Sequence, residues 1–501
     1  MTVATKKVYG VCPLDCPDSC GFVTETENGR AVKFYGDKEH PVTQGWVCSK
    51  MGPYLDYVYD PNRITTPLRR TSGKSAKPAF APISWDEALD EISHKWQQIM
   101  GEYGAEAILP YSFSGTLGTL QNYISAARFW NRMGASQLER SICGAAAAHA
   151  TIRTLGDKLS PPHKDVVHSK VIIIWGHNPV STGPHFMPFL TQAKRSGAQV
   201  VVIDPRRTRT AKQADWHIAP KAATDGALAM ALAHVIFKEN LHDPVWMAEH
   251  VLGGEAYREH VAHCTPEWAA AICDIPAEDI VKLARLYAEN KPSLIKTADG
   301  IQRHTNGGQS FRAMLALPAI TGQYGKVGGG FSYSTGGYFK WDLDLINRWK
   351  DCPKPGRWVN MNRLGAALMG EIQDPPIMSL YVFAANPLGA TANAGLIQKG
   401  LEREDLFTVV HELFMTDTAD FADIILPATS QLEQLDIHRA YGNTVLGLNE
   451  PAIPPIGECR SNWDTYRALS TAMGFTESWL HDDAETVINE LLANAGNAEL
   501  A

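Results

Sequence analysis

Two kinds of hydrophobic pattern run along this chain. In the first, apolar and polar residues alternate: Phe22-Val-Thr-Glu-Thr-Glu27 and Arg30-Ala-Val-Lys-Phe34 flank Asn28-Gly29. Alternation at period two around Asn-Gly predicts a β-hairpin, because that dipeptide accepts the positive φ angles of a two-residue turn. In the second pattern the run is apolar throughout or nearly so: Val171-Ile-Ile-Ile-Trp175, Val200-Val-Val-Ile203, Leu380-Tyr-Val-Phe383 and Phe407-Thr-Val-Val410, the last interrupted only by Thr408. Strands that are apolar on both faces belong to parallel sheets with helices on both sides.

These runs come in two matching sets. Trp175 leads into Gly176-His177-Asn178-Pro179, and Phe383 leads into Ala-Ala-Asn386-Pro387. Thr210-Ala211 with Ala214-Asp215 follows the first set, and Thr418-Ala419 with Ala422-Asp423 follows the second. The interval from Asn-Pro to Thr-Ala is 32 residues in both, and the copies are 208 residues apart at both landmarks. The chain therefore reads as a duplicated α/β unit: strand, polar loop, helix, strand, acidic turn.

Ligands of open α/β sheets bind outside the carboxyl ends of the strands, where loops expose backbone N–H groups. Gly176, Asn178 and Asn386 end the first strand of each copy; Asp204 and Glu412 end the second, where a carboxylate can accept hydrogen bonds from a ribose or a base. The pattern fits two nucleotide-like moieties, or one large cofactor contacted twice; the plain alternative is a duplicated scaffold with one idle site. There is no Gly-x-x-x-x-Gly-Lys-Ser/Thr motif and no Gly-x-Gly-x-x-Gly between strand and helix, so neither a P-loop nor a NAD fingerprint is present. Gly325-Lys-Val-Gly328-Gly329-Gly330 is glycine-rich but follows a helical stretch.

Composition narrows the class. A chain of 501 residues exceeds one hydrophobic core. A net charge of −8 gives no electrostatic case for nucleic acid or an anionic membrane surface. No apolar run reaches the roughly 18–20 residues of a membrane helix, and Met1 to Gly10 contains no leader, so a cytoplasmic protein is expected.

Nine cysteines are too few for a disulfide scaffold in a chain of this length. Four of them fall at the start: Cys12, Cys16 and Cys20 at intervals of four, then Cys48 after 27 intervening residues. Three thiolates on one loop with a fourth returning from elsewhere suit a cubane iron–sulfur cluster. Structural zinc is the competing reading, although it favours two paired knuckles. The hairpin between the two groups would carry Cys48 back to the triad. Lys50 would then stand beside the cluster, either bridging it to a neighbouring cofactor or simply solvated.

An iron–sulfur head followed by duplicated nucleotide-binding units resembles the dimethyl sulfoxide reductase family of bis-molybdopterin-guanine-dinucleotide enzymes, which includes formate dehydrogenases and nitrate reductases. The resemblance runs nearly end to end through Ser84-Trp-Asp-Glu-Ala-Leu, Trp175-Gly-His-Asn-Pro, Ile203-Asp-Pro-Arg, Thr224-Asp-Gly-Ala-Leu, Thr321-Gly-Gln-Tyr-Gly-Lys-Val-Gly-Gly-Gly and Ala422-Asp-Ile-Ile-Leu-Pro. It implies an α/β fold: a small β-rich [4Fe–4S] domain (1–62) and two Rossmann-like domains, one discontinuous (63–140 and 340–480) and one continuous (141–339), with a final helix in 481–501. It implies Cys12, Cys16, Cys20 and Cys48 as cluster ligands and Lys50 as the basic residue between cluster and pterin. Gly176, Asn178, Asp204, Arg206, Thr224 and Asp225 would serve the first pterin dinucleotide, and Asn386 and Glu412 the second.

The family places the protein ligand to Mo or W about a hundred residues after the last cluster cysteine. Cys143 lies 95 residues beyond Cys48 and is the expected ligand, with Ser141 as the alternative. A soft thiolate suits a metal already bound by sulfur. Arg312 matches the family's active-site arginine. Formate dehydrogenases usually carry His directly after the ligand; here Gly144 follows, so formate is not favoured. His149 reads as a packing or surface residue. Family members continue past the point where this chain stops, at Ala501, into a domain that covers the dinucleotides; the expectation is a truncated product or a partner that supplies that lid. The reaction expected is two-electron chemistry on a small-molecule substrate, with electrons leaving through the cluster to a partner protein. A hydratase on the same cofactors, with an acid such as Asp18 near the cluster, and a relay subunit without pterin are the two other readings.

Overall fold

The computed structural model describes residues 5–353 and 356–496. The chain begins as a three-stranded antiparallel sheet in the order β1-β2-β3: β1 (Lys6–Val11), β2 (Gly21–Glu27) and β3 (Arg30–Gly36). The hairpin between β2 and β3 turns at Asn28 and Gly29, whose φ angles of 52° and 78° are the left-handed values that the sequence predicts there.

Two short strands, β4 (Leu68–Arg70) and β5 (Phe80–Pro82), precede helix α1 (Trp85–Tyr103) and β6 (Ile108–Tyr111). The Ser84-Trp-Asp-Glu87 segment forms a capping box at the start of α1. Ser84 Oγ accepts from the Glu87 N–H at 3.2 Å, and the Ser84 N–H donates to Glu87 Oε2 at 2.8 Å. Strand β7 (Gln137–Glu139) then leads to helix α2 (Ala145–Leu155).

The first α/β unit is built from β8 (Val171–Trp175), β9 (Gln199–Ile203), β10 (Trp216–Ile218), β11 (Ser293–Thr297) and β12 (Gly330–Ser332). The sheet is parallel throughout, in the order β10-β9-β8-β11-β12. Helix α3 (Phe186–Arg195) covers one face; α4 (Asp225–Lys238) and α5 (Gly307–Ile320) cover the other. The alternation within β8 shows why the run is apolar throughout. Val171, Ile173 and Trp175 enter the core under α4 and α5, whereas Ile172 and Ile174 pack against Phe186 and Leu190 of α3. Each such side chain contributes roughly 1.5–3 kcal/mol when fully buried.

The second unit uses β4, β5 and β6 with β14 (Ser379–Phe383), β15 (Phe407–Glu412) and β16 (Ile424–Pro427), in the order β5-β4-β16-β15-β14-β6. Strands β16, β15, β14 and β6 are parallel, and β4 and β5 add antiparallel pairs at the other edge. Between the two units β13 (Trp358–Asn360) pairs with β7, and a hairpin of β17 (Asp436–Arg439) and β18 (Leu446–Asn449) follows β16. That hairpin joins the N-terminal sheet, where Asn449 Oδ1 accepts from the Val11 N–H at 3.1 Å. Helix α6 (Asn462–Ala472) closes the second unit's core with Tyr466 and Leu469.

The strand orders decide where each sheet can hold a ligand. In the first unit β8 has β9 on one side and β11 on the other, and the connections leave in opposite directions; in the second, β14 stands between β15 and β6 in the same way. Each sheet therefore has a crevice at the carboxyl end of the strand where the order reverses, β8 in the first and β14 in the second, the usual ligand position in such sheets.

Candidate active site

Cys12 follows β1 and Cys20 precedes β2, and the Cys12 N–H donates to the Cys20 carbonyl at 2.9 Å, so both thiols stand at one end of the sheet with Cys16 on the loop between them. Cys48 opens a tight turn in which its carbonyl accepts from the N–H groups of Met51 and Gly52. None of the four is in a disulfide. Burial pushes the thiols of Cys12 and Cys16 up to about 12 and raises Cys20 further; the field of Cys48 acts on both Cys12 and Cys20, and Cys12 and Cys16 act on Cys20. Three buried thiols whose ionisation is opposed in this way, with Cys48 close enough to act on two of them, fit a cationic group, because a bound metal reverses that cost. Backbone N–H groups of Leu14, Asp18 and Gly183 are aimed at the sulfurs. Among the described residues no three His, Cys, Asp or Glu side chains are close enough to hold one metal ion. Lys50 is exposed, and its charge acts on Cys12. Asp18 is wholly buried and held by His185.

Cys143 stands just before α2, half-buried. Its thiol donates to Asp299 Oδ2 at 3.4 Å, and Arg303 Nη2 approaches the sulfur at 3.9 Å. Asp299 follows the carboxyl end of β11, beside the crevice of the first sheet. Its Oδ1 accepts from Tyr333 Oη at 2.8 Å and from Gln302 Nε2 at 2.7 Å. Gln302 in turn accepts from the Ala147 N–H at 2.7 Å, satisfying an N–H in the first turn of α2. Burial pushes the Cys143 thiol up to about 12, with the charges of Asp299 and Asp15 adding to the effect.

Asp15, from the cysteine-rich loop, accepts from Tyr441 Oη at 3.0 Å. Its carboxyl is raised above the usual range by burial and, among other causes, by Asp299, and Ser114 in the loop after β6 also bonds to it. Residues of the head, the first unit and the second unit thus meet beside Cys143.

Sequence reasoning did not single out Asp15, Asp299, Arg303, Tyr333 or Tyr441. The short segment Ser293-Leu-Ile-Lys-Thr followed by Ala-Asp299-Gly was the available signal for Asp299, a weak one because only Leu294 and Ile295 in it are apolar, although it repeats the strand-then-acidic-turn order. Arg312 is not brought to Cys143. It lies on α5, donates to Gln309 Oε1 at 3.3 Å and lines a separate groove of about 1300 Å³ with Trp246 and Tyr324. Arg303, in the short turn before α5, is the arginine that reaches the sulfur; the helix carries position 312 to another face. Ser141 is occupied elsewhere: its hydroxyl donates to Asn360 Oδ1 at 2.9 Å and accepts from Asn362 Nδ2 at 3.0 Å. His149 is exposed on α2.

The two repeats match hydrogen bond for hydrogen bond. Thr210 Oγ1 donates to Asn178 Oδ1 at 2.5 Å and accepts from the Val180 N–H at 3.3 Å. Thr418 Oγ1 donates to Asn386 Oδ1 at 2.6 Å and accepts from the Leu388 N–H at 3.1 Å. Asp215 Oδ2 accepts from the Val200 N–H at 2.8 Å, and Asp423 Oδ2 from the Thr408 N–H at 2.7 Å. Gly176 and Ala384, the first residues after β8 and β14, both have positive φ, at 61° and 46°. A side chain on Gly176 would place its Cβ 2.4 Å from Ile301 Cδ1, which accounts for glycine in the first copy.

Around these turns, Asp204 caps the Arg206 N–H at 2.8 Å, and Arg206, Arg207 and Arg209 are exposed on the loop after β9. Glu412 is half-buried, and desolvation pushes its carboxyl up to about 7. Asp225 is buried at the start of α4, where it accepts from Trp175 Nε1 at 2.8 Å, and Thr224 donates to the Lys221 carbonyl at 2.6 Å. The glycine-rich loop at 325–330 follows α5 and packs tightly: a Cβ on Gly328 would lie 2.7 Å from the His168 backbone.

A family model described as Molybdopterin oxidoreductase matches residues 63–472, and one described as Molybdopterin oxidoreductase Fe4S4 domain matches residues 5–60. Probable oxidoreductase YoaE of Bacillus subtilis (strain 168) is 43% identical over 493 residues, covering 98% of this chain and 72% of that protein. The assimilatory nitrate reductase catalytic subunit of the same organism is 30% identical over 484 residues, 90% of this chain and 66% of that protein. Formate dehydrogenase H of Escherichia coli (strain K12) is 28% identical over 507 residues, 94% of this chain and 68% of that protein. Among solved structures, acetylene hydratase from Pelobacter acetylenicus matches with a TM-score of 0.78 at 21% identity, over 93% of this chain and 69% of that one; the likeness is one of fold.

Proposed function

The chain belongs to the molybdopterin oxidoreductase family and carries that family's Fe4S4 domain, and from this premise we propose that it is a molybdenum- or tungsten-dependent oxidoreductase subunit acting on a small molecule. An iron–sulfur cluster and a pterin cofactor follow from the family. The finer reading is a [4Fe–4S] cluster on Cys12, Cys16, Cys20 and Cys48, with Lys50 beside it, and two pterin guanine dinucleotides, one per α/β unit, that present Mo or W to Cys143. When bound, that assembly supplies two-electron chemistry at the metal and one-electron exit through the cluster to a partner protein.

The observation that carries the reading is the convergence at Cys143, where Asp15 of the head and Asp299, Arg303 and Tyr333 of the first unit face one thiol at the carboxyl end of a parallel sheet. Cys143 precedes the positive end of α2, which favours a thiolate once a cation offsets Asp299. Ser141 is the weaker candidate because its hydroxyl is engaged elsewhere, donating to Asn360 and accepting from Asn362. In this reading Asp299 holds the proton that Cys143 gives up, and Tyr333 fixes the carboxylate's orientation. Gly176, Asn178, Asp204, Arg206, Thr224 and Asp225 serve the first dinucleotide; Asn386 and Glu412 serve the second.

Formate is disfavoured as substrate. A Cβ at position 144 would lie 3.0 Å from Tyr333 Oη, so the Tyr333–Asp299 pair occupies the space that a histidine there would need. Asp15 supports a second reading: its raised carboxyl, bonded to Tyr441, is placed to deliver a proton in a hydration without net redox change. In that reading Asp15, and not the buried Asp18, is the acid.

Elemental analysis and low-temperature EPR of protein purified without oxygen test the proposal. Four irons and one Mo or W per chain, with the Mo or W lost in Cys143→Ala but kept in Ser141→Ala, is the expected result. Iron without Mo or W in protein from a host that makes the cofactor would favour a relay subunit. Turnover that needs no electron acceptor would favour the hydration.

A further inference from the structure

The first α/β unit reaches into the cysteine-rich head through one buried side chain. His185 lies 165 residues from Cys20 in sequence, yet its Nδ1 is 3.7 Å from Cys20 Sγ. The same Nδ1 is 2.8 Å from Asp18 Oδ2, which also accepts from the His185 N–H at 3.2 Å. On the opposite edge, Nε2 is 3.2 Å from the Trp46 carbonyl. A carbonyl only accepts, so Nε2 is placed to donate to it, and Nδ1 faces the Asp18 carboxylate at close range and the Cys20 sulfur at longer range, so that one N–H there would be divided between them. The Trp46 indole, itself 49% exposed, meets the imidazole edge-on with ring centroids 4.9 Å apart. A ring held at both nitrogens and against an indole cannot turn its Nδ1 edge away from the sulfur.

The segment that carries this ring is informative. His185 ends the loop that starts at Gly176-His177-Asn178, the turn assigned to the first dinucleotide. The two cofactor positions therefore share one loop. Behind Asp18, Lys296 on β11 is 3% exposed, with Asp18 and Asp299 as its charged neighbours.

We propose that His185 is a positioning residue that sets the reduction potential of the cluster, by holding an N–H dipole, anchored on Asp18 and Trp46, against the Cys20 sulfur. The inference rests on the reading of Cys12, Cys16, Cys20 and Cys48 as cluster ligands. A one-electron reduction adds negative charge to the cluster and its thiolates. A donor fixed beside one of those sulfurs stabilises the reduced form more than the oxidised form, and so raises the potential.

The test is an EPR-monitored redox titration of the full chain, purified without oxygen, as wild type, His185→Leu and His185→Asn. With equal iron content, His185→Leu is expected to shift the midpoint to a more negative value. His185→Asn, which returns a donor close to the Nδ1 position, is expected to fall between the two. An iron-loaded His185→Leu with the wild-type midpoint overturns the proposal. Pulsed EPR of the reduced wild type labelled with ¹⁵N-histidine needs no substitution and decides the matter if His185→Leu takes up no iron: a histidine nitrogen coupling to the cluster supports the contact, and its absence overturns it. A wild type that takes up no iron overturns the cluster reading, and this inference falls with it.

Discussion

At the scale of single residues, the clearest consequences lie where a position has no room or has room to spare. Gly118 precedes the buried turn at Thr119–Ile124, and a Cβ there would lie 1.4 Å from Asp436 Oδ2. Asp436 cannot step aside, because its Oδ1 accepts from the N–H groups of Leu120 and Ile437. Gly118→Ala should therefore destabilise the protein by about 3 kcal/mol, the upper end of ordinary overpacking. Gly101 is the opposite case: it sits within α1, and an added Cβ meets nothing within 4 Å. Gly101→Ala should stabilise by about 0.5–1 kcal/mol, since the glycine gives up more chain entropy than alanine in a helix. Urea unfolding of both variants checks the pair; a Gly118→Ala protein as stable as wild type would show that the contact is not enforced.

At the scale of elements, the duplication is a statement about hydrogen bonds as much as about sequence. Asn178 with Thr210 and Asn386 with Thr418 are tied at the same separation of 32 residues, and each threonine also receives an N–H from the turn after its strand. Each pair fastens the loop at the carboxyl end of the strand where the sheet order reverses to the turn after its neighbour. Thr210→Val and Thr418→Val each remove a hydroxyl that serves both a half-buried asparagine side chain and a turn N–H, at a cost of about 1–3 kcal/mol. Because the pairs lie in different sheets, the double variant should lose the sum of the two effects. In protein purified with cofactor, each should also lower the pterin content, measured by fluorescence of the released pterin. Normal pterin retention in the double variant would show that these turns are scaffold alone.

At the scale of the whole molecule, burial of ionisable groups links stability to pH. His411 on β15 is 2% exposed, with Nε2 at 3.2 Å from the Arg460 carbonyl, and burial pushes it down to about 4. Between pH 6.5 and 4 the unfolded chain binds a proton there that the folded chain refuses. This contribution to stability is complete above about pH 6.5 and is lost as the pH falls, at up to about 1.4 kcal/mol per unit. The adjacent Glu412, raised to about 7, acts in the opposite direction over the upper part of that window. The comparison of wild type with His411→Gln isolates the histidine. The variant should be less stable at pH 7.5, and the gap should narrow as the pH is lowered to 5; a gap independent of pH would contradict the burial argument.

The sequence alone determined the local architecture. Apolar periodicity and an Asn-Gly pair specified the β2–β3 hairpin, runs apolar throughout or nearly so specified β8, β9, β14 and β15, and two intervals of 32 residues specified the repeat, because each depends only on neighbours along the chain or on equal spacing. The four N-terminal cysteines stood out for a similar reason, since thiols are scarce here and their spacing is informative, whereas Cys143 was singled out by the family resemblance. What only the tertiary structure decided is which side chains face them. Asp15, Asp299, Tyr333 and His185 are ordinary residues in sequence, and they come to lie beside these cysteines because β11, the cysteine loop and the loop after β8 end at one place. The choice of Arg303 over Arg312 is of the same kind: the eight residues between them turn into a helix, which leaves one arginine at the sulfur and carries the other to a different surface. A pattern along one dimension records the period of burial; the neighbours across a crevice depend on how separate loops are brought together in three.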